Sequence, residues 1–307
     1  MEQGSRPQSL HRAKTSDYSV VERLRTATEE NSDKTPEQNA YCHPYHGAEA
    51  YASIPYELIE NGSIAVVSLG SSDATMSPFG TNAAEHRLTP ALVLGFLQTL
   101  ETLATMPDVL ALVVSADGKF WCNGFDLNLI KEHPSLCDPL QQSTELLCSQ
   151  LLKYPKVTIA AVNGHATAAG AMLMLSFDYT IMNSQRGYCF VPGIDLGLVY
   201  SPGMSELMKA KLPIMLWRDF VIFGERFTCP GLEKFGVVEG AGPEEVFDKA
   251  VEKARKMKNK AKHGETLSRI KETLYHEAVS ALELEVDELV VNPHCKYKYP
   301  NFDLIKP

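Results

Sequence analysis

The sequence contains no apolar run long enough to cross a membrane, so we expect no transmembrane helix. It has no secretory signal segment, and the acidic residues near its beginning argue against a transit peptide. Basic residues are outnumbered, because the chain has 29 Lys and Arg but 38 Asp and Glu, which gives a net charge of −9. This balance argues against a nucleic acid or an anionic membrane surface as the main partner.

Cysteine pairs at C-x-x-C spacing are also absent. The seven cysteines are scattered and odd in number, which favours reduced thiols inside a cell over a disulfide framework or a zinc site. Cys42, His43 and His46 are close in sequence, but no fourth ligand follows nearby. We therefore expect no metal site.

Apolar residues are plentiful, since they make up 44% of the 307 residues and can supply a sizeable core. The length predicts one domain of about 230–250 residues plus tails. Residues 1–52 are polar with little periodicity, which predicts a disordered extension. We place the globular core at residues 53–240, and a helical C-terminal region with its tail at residues 241–307.

Strand and helix patterns alternate along the core. Tyr56–Ile59 and residues 64–69 flank Asn61-Gly62, which predicts a hairpin. Thr89 and Pro90 are typical of a helix start. Further strands are predicted at residues 110–115, 157–162 and 235–238, and helices at residues 90–105, 138–152, 172–177, 205–211, 217–223, 243–260 and 266–291. Alternating strands and helices predict an α/β fold with a largely parallel sheet.

The most informative stretch is residues 155–179. A β-branched strand stops at Asn163-Gly164 and is followed by the small residues 166–171 and an apolar helix. This arrangement brings backbone N–H groups to the start of a helix, where they favour negative charge such as a developing oxyanion. Small residues also permit close packing of a helix on a strand in any α/β protein. Both interpretations stay open on this stretch alone.

Three ordered motifs carry a family resemblance. They are GKFWCNGFDL at residues 118–127, NGHATAAG at 163–170 and RGYCFVPGIDLGL at 186–198, with Glu85-His86-Arg87 as a further element. They resemble the crotonase superfamily of enoyl-CoA hydratases and isomerases, and most closely the plant-type Δ3,Δ2-enoyl-CoA isomerases. The resemblance spans residues 56–289. It implies a crotonase (ClpP-like) spiral of β-β-α turns with a C-terminal helical region, and assembly as a homotrimer or a dimer of trimers.

The resemblance also implies an acyl-CoA thioester as substrate, with no separate cofactor. Two backbone N–H groups would hold the thioester carbonyl and stabilise an enolate. Matched motif by motif, these groups belong to Asn123 and Ala169. The substrate or its CoA portion would contact residues in the same motifs, namely Arg87, Gly124, Phe125, Asp126 and Gly170.

Both carboxylate positions of the family are empty in this chain. The hydratase position holds Met172 and the isomerase position holds Gly193. Neither residue can transfer a proton between carbon atoms. Asp195 is the candidate substitute acid, although on a strand-like segment it would need a bulge or a turn to reach the site. Glu206 and Glu225 lie in segments that can border an acyl pocket.

Other reactive side chains have structural interpretations. Asp126 is expected to cap the next helix, and Asp178 to form structural hydrogen bonds. Buried inert thiols are the favoured interpretation of Cys122 and Cys189. His165 is expected to shape the turn of its motif, whereas Lys271 could reach CoA from a neighbouring subunit.

Two functions follow from these residues. The first is an isomerase of fatty-acid β-oxidation that moves a 3-enoyl-CoA double bond to the 2-position through the backbone oxyanion hole. The second is a catalytically silent acyl-CoA-binding protein that has lost its base, and thioester hydrolysis is a third possibility. The resemblance implies a peroxisome, whereas the final residues LIKP differ from an S-K-L signal and favour the cytoplasm.

Overall fold

A computed structural model describes residues 53–70 and 85–284 of the chain. The predicted extension at residues 1–52, with Cys42, His43 and His46, lies outside the described residues. The same holds for most of the loop that follows the first hairpin and for the end of the last predicted helix. Within the described residues, no helix is both long enough and apolar enough to span a membrane.

The described residues contain short strands and longer helices in alternation. The strands are β1 (Tyr56–Ile59), β2 (Ile64–Ser68), β3 (Ala111–Ser115), β4 (Phe120–Cys122), β5 (Val157–Val162), β6 (His165–Thr167), β7 (Tyr179–Asn183), β8 (Cys189–Phe190) and β9 (Glu239–Ala241). The helices are α1 (Pro90–Thr105), α2 (Leu127–Glu132), α3 (Cys137–Leu152), α4 (Ala169–Leu175), α5 (Gly193–Leu196), α6 (Pro202–Lys211), α7 (Ile214–Leu216), α8 (Cys229–Glu233), α9 (Val246–Met257), α10 (Gly264–Leu274) and α11 (His276–Leu282). Short 3-10 helices cover Pro134–Leu136 and Lys258–His263, and a π-helical turn covers Trp217–Ile222.

The strands form two sheets that the chain visits in turn. The larger sheet has the order β1-β2-β3-β5-β7-β9, and the smaller one has the order β4-β6-β8. The β1–β2 pair is antiparallel, and the other pairs in both sheets are parallel. Each of β3, β5 and β7 is followed by a strand of the smaller sheet and then by a helix. This repeat confirms the predicted spiral of β-β-α turns.

The larger sheet is buried on both faces. In β3, Leu112 and Val114 pack into the main core, whereas Ala111 and Val113 pack into a second core that includes Val246 of α9. Strands covered on both sides have near-continuous apolar sequences, which explains why β3 and β5 show no polar alternation. The smaller sheet then extends the carboxyl ends of β3, β5 and β7 toward the candidate site.

Most element predictions are confirmed, and three need correction. The hairpin is present, and Thr89 caps α1 by accepting a hydrogen bond from the Leu92 N–H. The last strand of the large sheet is β9, because residues 235–238 form the turn after α8. The helix predicted at residues 266–291 is divided at Tyr275 into α10 and α11. Residues 193–196 form the short helix α5, not a strand-like segment.

Candidate active site

The end of β4 packs directly against the start of α4. Gly124 has φ +71°, and a Cβ there would lie 2.9 Å from Ala168 Cβ and 3.2 Å from the Ala169 nitrogen. On the other side, a Cβ on Gly170 would lie 2.3 Å from the Cys122 carbonyl oxygen. Glycine is therefore required at both positions, and it lets two backbone segments approach each other where the sequence motifs predict the site.

The N–H of Ala169 is available to a ligand. Ala169 is the first residue of α4, so its N–H has no acceptor within the helix. The neighbouring Ala168 N–H donates to the Phe190 carbonyl at 2.9 Å, which ties this turn to β8. Among the described residues none accepts a hydrogen bond from the Ala169 N–H. Ala168 itself has φ 51°, a conformation that costs about 1–3 kcal/mol for a residue with a side chain.

The structure does not support Asn123 as the second donor. Its N–H already donates to the Glu85 carbonyl at 3.0 Å, so it cannot also hold a substrate oxygen. Two residues further on, the N–H of Phe125 has no acceptor in the part of the chain that the structure describes. The flanking groups are paired with Leu88, whose N–H donates to the Gly124 carbonyl and whose carbonyl accepts from the Asp126 N–H. This pairing fixes the Phe125 peptide.

A polar network holds the Phe125 segment in place. The Asn123 side chain accepts from Thr167 Oγ1 at 2.5 Å and donates to Glu85 Oε2 at 3.0 Å. Arg87 forms an ion pair with the same Glu85 oxygen at 2.7 Å and donates to the Phe125 carbonyl at 3.1 Å. The guanidinium is thus engaged by Glu85 and the Phe125 carbonyl, and contact of Arg87 with the substrate or its CoA portion stays a prediction. Asn123 and Arg87 position the backbone of the site.

The space for the family's isomerase carboxylate is filled by an aromatic ring. A Cβ on Gly193 would lie 2.5 Å from both Cζ and the hydroxyl oxygen of Tyr200. That hydroxyl donates to the Val191 carbonyl and accepts from the Gly193 N–H, both at 2.9 Å. Burial raises the pKa of Tyr200, so the phenol stays protonated near neutral pH. The other family position, Met172, is buried in α4.

The candidate substitute acids are exposed or paired with a lysine. Asp195 is exposed on α5, and Glu225 is exposed beside the π-helical turn. Glu206 is partly exposed and pairs with Lys209 one turn along α6, at 2.7 Å. Asp195 as substitute acid stays a prediction: its side chain is exposed, and together with burial its charge helps to raise the pKa of Tyr200.

Several predicted structural roles are confirmed. The Asp126 side chain accepts from the N–H groups of Asn128 and Leu129 and caps α2. Burial raises the pKa of the Cys122 thiol to about 12 and also raises that of Cys189, so both thiols remain protonated. His165 accepts from the Tyr188 N–H at 3.2 Å, and its ring lies tilted against the rings of Phe120 and Tyr188.

Lys271 does not project toward a neighbouring subunit. Its ammonium group is buried and donates to Asp178 at 2.7 Å and to the carbonyls of Tyr154 and Lys156 at 3.0 Å. Asp178 also accepts from the Thr158 N–H at the start of the central strand. The pair joins α10 to the large sheet, so both residues stabilise the fold.

Sequence reasoning missed Phe125 as a candidate donor and Tyr200 as the side chain beside Gly193. Phe125 lies in the predicted motif, but its free N–H depends on the pairing of Leu88 with the residues on either side. Tyr200 is seven residues from Gly193, and only the turn through α5 brings its ring back. The glycine itself was the available signal, because a buried glycine leaves space for another side chain.

The chain is similar in sequence to several known proteins. A family model described as enoyl-CoA hydratase/isomerase matches residues 79–291. Among curated proteins of Arabidopsis thaliana, the peroxisomal enoyl-CoA delta isomerase 1 is 29% identical over 204 residues, covering 65% of this chain and 85% of the relative. The peroxisomal enoyl-CoA delta isomerase 2 is 33% identical over 218 residues, covering 67% and 90%.

A solved structure agrees on the fold. The crystal structure of a probable enoyl-CoA hydratase from Mycobacterium tuberculosis aligns with a TM-score of 0.66 and 23% identity. The alignment covers 77% of this chain and 94% of that structure. At this identity the likeness shows a shared crotonase fold.

Proposed function

Because the chain belongs to the enoyl-CoA hydratase/isomerase family, we propose that it is a Δ3,Δ2-enoyl-CoA isomerase of fatty-acid metabolism. Its substrate would be a 3-enoyl-CoA, and its product the conjugated 2-enoyl-CoA. Two relatives at about 30% identity are named enoyl-CoA delta isomerases, which favours this reaction over hydration. The empty hydratase position at Met172 also disfavours hydration, which uses two acids.

The observation that carries the proposal is the pair of N–H groups at Phe125 and Ala169. The two residues lie on segments that touch at Gly124, and neither N–H donates to another described residue. Fixed donors of this kind stabilise negative charge as it develops on an oxygen atom, and removing one typically costs about 100–1,000-fold in rate. Bound to them, a thioester carbonyl would accept the electrons released when a C2 proton leaves. The thioester carbonyl is the group that makes the C2 proton acidic in this reaction.

A silent acyl-CoA-binding protein is the second candidate. The Tyr200 ring favours it, because the space that a carboxylate at position 193 would occupy is closed. In this alternative the N–H pair would still bind the thioester oxygen, but no group would transfer the proton.

Turnover of a 3-enoyl-CoA, followed by the absorbance of the conjugated product, tests the proposal. The proposal predicts steady turnover by the unmodified chain. A restored carboxylate needs two changes, since Gly193→Glu alone would bring a Cβ within 2.5 Å of Tyr200. The informative variant is Gly193→Glu with Tyr200→Ala, and Tyr200→Ala alone is its control. Turnover by the double variant, with none by the unmodified chain, would establish the silent protein instead.

The proposal includes a peroxisomal location, because both Arabidopsis relatives carry that location in their names. Imaging of the tagged chain against a peroxisomal marker separates this location from the cytoplasm. It also includes assembly into a homotrimer or a dimer of trimers.

A further inference from the structure

Helix α3 carries a buried carboxylic acid. Glu145 is 2% exposed, and it accepts a hydrogen bond from Gln141 Nε2 at 3.0 Å and another from Ser201. In the described part of the chain no lysine, arginine or histidine forms an ion pair with it. A buried carboxylate without a cation destabilises a fold. Such a group therefore calls for a functional explanation.

One side of Glu145 faces the turn that fills the missing carboxylate space. Its partner Ser201 directly follows Tyr200, and it caps α6 by accepting from the Met204 N–H at 3.1 Å. The Tyr200 hydroxyl is bonded to both Val191 and Gly193. Because that phenol is protonated and committed to backbone partners, it is a poor base. Two carboxyl groups lie near this turn, namely the exposed Asp195, whose charge together with burial helps to raise the pKa of Tyr200, and the buried Glu145, which bonds to the neighbouring Ser201.

Helix α3 is also linked to the segments that carry the N–H pair. Cys148, one turn further along α3, interacts electrostatically with both Glu145 and Cys122. The Cys122 sulfur accepts from the Gly124 N–H, and a Cβ on Gly170 would lie 2.9 Å from Cys122 Cβ. Helix α3 also packs on α4. These interactions link the part of α3 that carries Glu145 to the Tyr200 turn on one side and to the segments that carry Phe125 and Ala169 on the other.

A second polar group on the same turn of α3 has no partner. The side chain of Gln142 is 6% exposed, and its Nε2 has no acceptor among the described residues. A buried donor left unpaired costs about 1–3 kcal/mol. A polar group of a bound ligand would remove that cost, so the unpaired amide beside Glu145 is an independent indication of a binding site.

We propose that Glu145 is the catalytic residue that moves the proton in this site, in place of the carboxylates absent at positions 172 and 193. The inference rests on the proposed isomerase function. The Glu145 carboxylate takes a proton from C2 of the 3-enoyl-CoA, and the C2–H electrons move onto the thioester oxygen held by the Phe125 and Ala169 N–H groups. The resulting carboxylic acid then gives the proton to C4. The C3=C4 double bond is lost, C2=C3 forms, and Glu145 is again a carboxylate.

The environment of Glu145 suits a group that both takes and returns a proton. Burial raises its pKa to about 7, while the hydrogen bonds from Ser201 and Gln141 oppose that rise. No charged side chain of the described residues acts on it from α1, α4 or α11, which pack on α3. The neighbouring titratable group is Cys148, whose thiol stays protonated because burial raises its pKa to about 12. A pKa near the working pH is the condition for efficient general acid–base catalysis.

The test compares the unmodified chain with Glu145→Gln and Glu145→Asp in two assays. One follows isomerisation of a 3-enoyl-CoA, and the other follows exchange of the C2 protons of a saturated acyl-CoA into deuterated water by NMR. We expect Glu145→Gln to lose at least about 100-fold in both assays, and Glu145→Asp to lose less. Circular dichroism and thermal unfolding confirm that each variant is folded.

The two assays separate this assignment from the isomerase function. Exchange that persists in Glu145→Gln, or that is absent from the unmodified chain, overturns the role of Glu145. Exchange without isomerisation, lost in Glu145→Gln, supports Glu145 as a base but contradicts the isomerase.

A pH profile provides a readout that a purely structural role would not change. The rate should fall as pH decreases through about 7, because Glu145 must be ionised to take the first proton. Gln141→Met removes a hydrogen bond that lowers the pKa of Glu145. We therefore expect the acidic limb of the profile to move to higher pH in this variant. An unmoved limb would contradict the assignment.

Discussion

At position 193 a single hydrogen atom stands where the family resemblance implies a carboxylate side chain. The Tyr200 ring occupies the vacated space, and its hydroxyl satisfies the backbone at Val191 and Gly193. The Tyr200 ring therefore leaves no space for a carboxylate side chain at position 193. Among the described residues, the buried Asp or Glu side chain is Glu145 on α3, and we propose it as the residue that moves the proton.

Glu145 should make the stability of the protein depend on pH. Its pKa is raised from 4.5 to about 7 in the folded state, so the folded protein holds this proton more tightly than the unfolded chain. The free energy of unfolding should therefore fall by roughly 3 kcal/mol as pH rises from about 4.5 to about 8. Glu145→Gln lacks this contribution. Denaturant unfolding of both proteins near these two pH values measures their free energies of unfolding. Relative to the unmodified chain, that of Glu145→Gln should be roughly 3 kcal/mol higher at the higher pH than at the lower one.

A constant difference between the two proteins would contradict this prediction. It would mean that the folded and unfolded states bind the Glu145 proton equally, and that the carboxyl is more hydrated than its burial indicates.

Among the elements, the start of α4 is the one at which we propose that the thioester oxygen binds. Ala168→Gly with Ala169→Pro removes the Ala169 N–H while keeping a first helical position that proline tolerates. Glycine at 168 provides the positive φ of 51° that alanine adopts at a cost. Relative to Ala168→Gly alone, the double variant should lose about 100-fold or more in isomerisation, measured as kcat/KM. Equal rates would exclude the Ala169 N–H from the reaction.

Some elements could be predicted from the sequence, and others could not. Strands β3 and β5 were predictable because continuous apolar residues mark strands buried on both faces. The position of β9 was missed because Glu239, Gly240 and Ala241 carry no such pattern, and pairing with β7 defines the strand. The Ala169 donor followed from its motif. The assignment of the second donor to Phe125, and not to Asn123, could not be predicted, because it depends on which N–H groups Glu85 and Leu88 leave unpaired.

At the scale of the whole molecule, the C-terminal helices are part of the core. Lys271 of α10 bonds to Asp178 beside β7, and Ser268 donates to the Lys153 carbonyl at the end of α3. Helix α11 packs on both α3 and α6. Helix α3, which carries the buried acid, packs on α1 and α11, so the predicted division at residue 240 separates sequence regions that pack together.

Exposed apolar side chains support assembly of several copies. Ile214 is 70% exposed and Met215 66%, and Ile222 and Phe223 on the following turn are also exposed. Apolar side chains grouped on one surface are typical of protein interfaces. We expect a trimer or hexamer in analytical ultracentrifugation, and Met215→Lys with Phe223→Lys should shift it toward monomer. A monomeric unmodified chain at micromolar concentration would contradict this expectation.

The most direct test of the proposed reaction is the rate at which the unmodified chain converts a 3-enoyl-CoA to the conjugated 2-enoyl-CoA, measured beside Glu145→Gln. We expect steady turnover by the unmodified chain and a loss of at least about 100-fold in the variant. Absence of turnover in the unmodified chain, with acyl-CoA still bound, would contradict the isomerase and establish a binding protein. Equal turnover in both proteins would retain the isomerase and remove Glu145 from its mechanism.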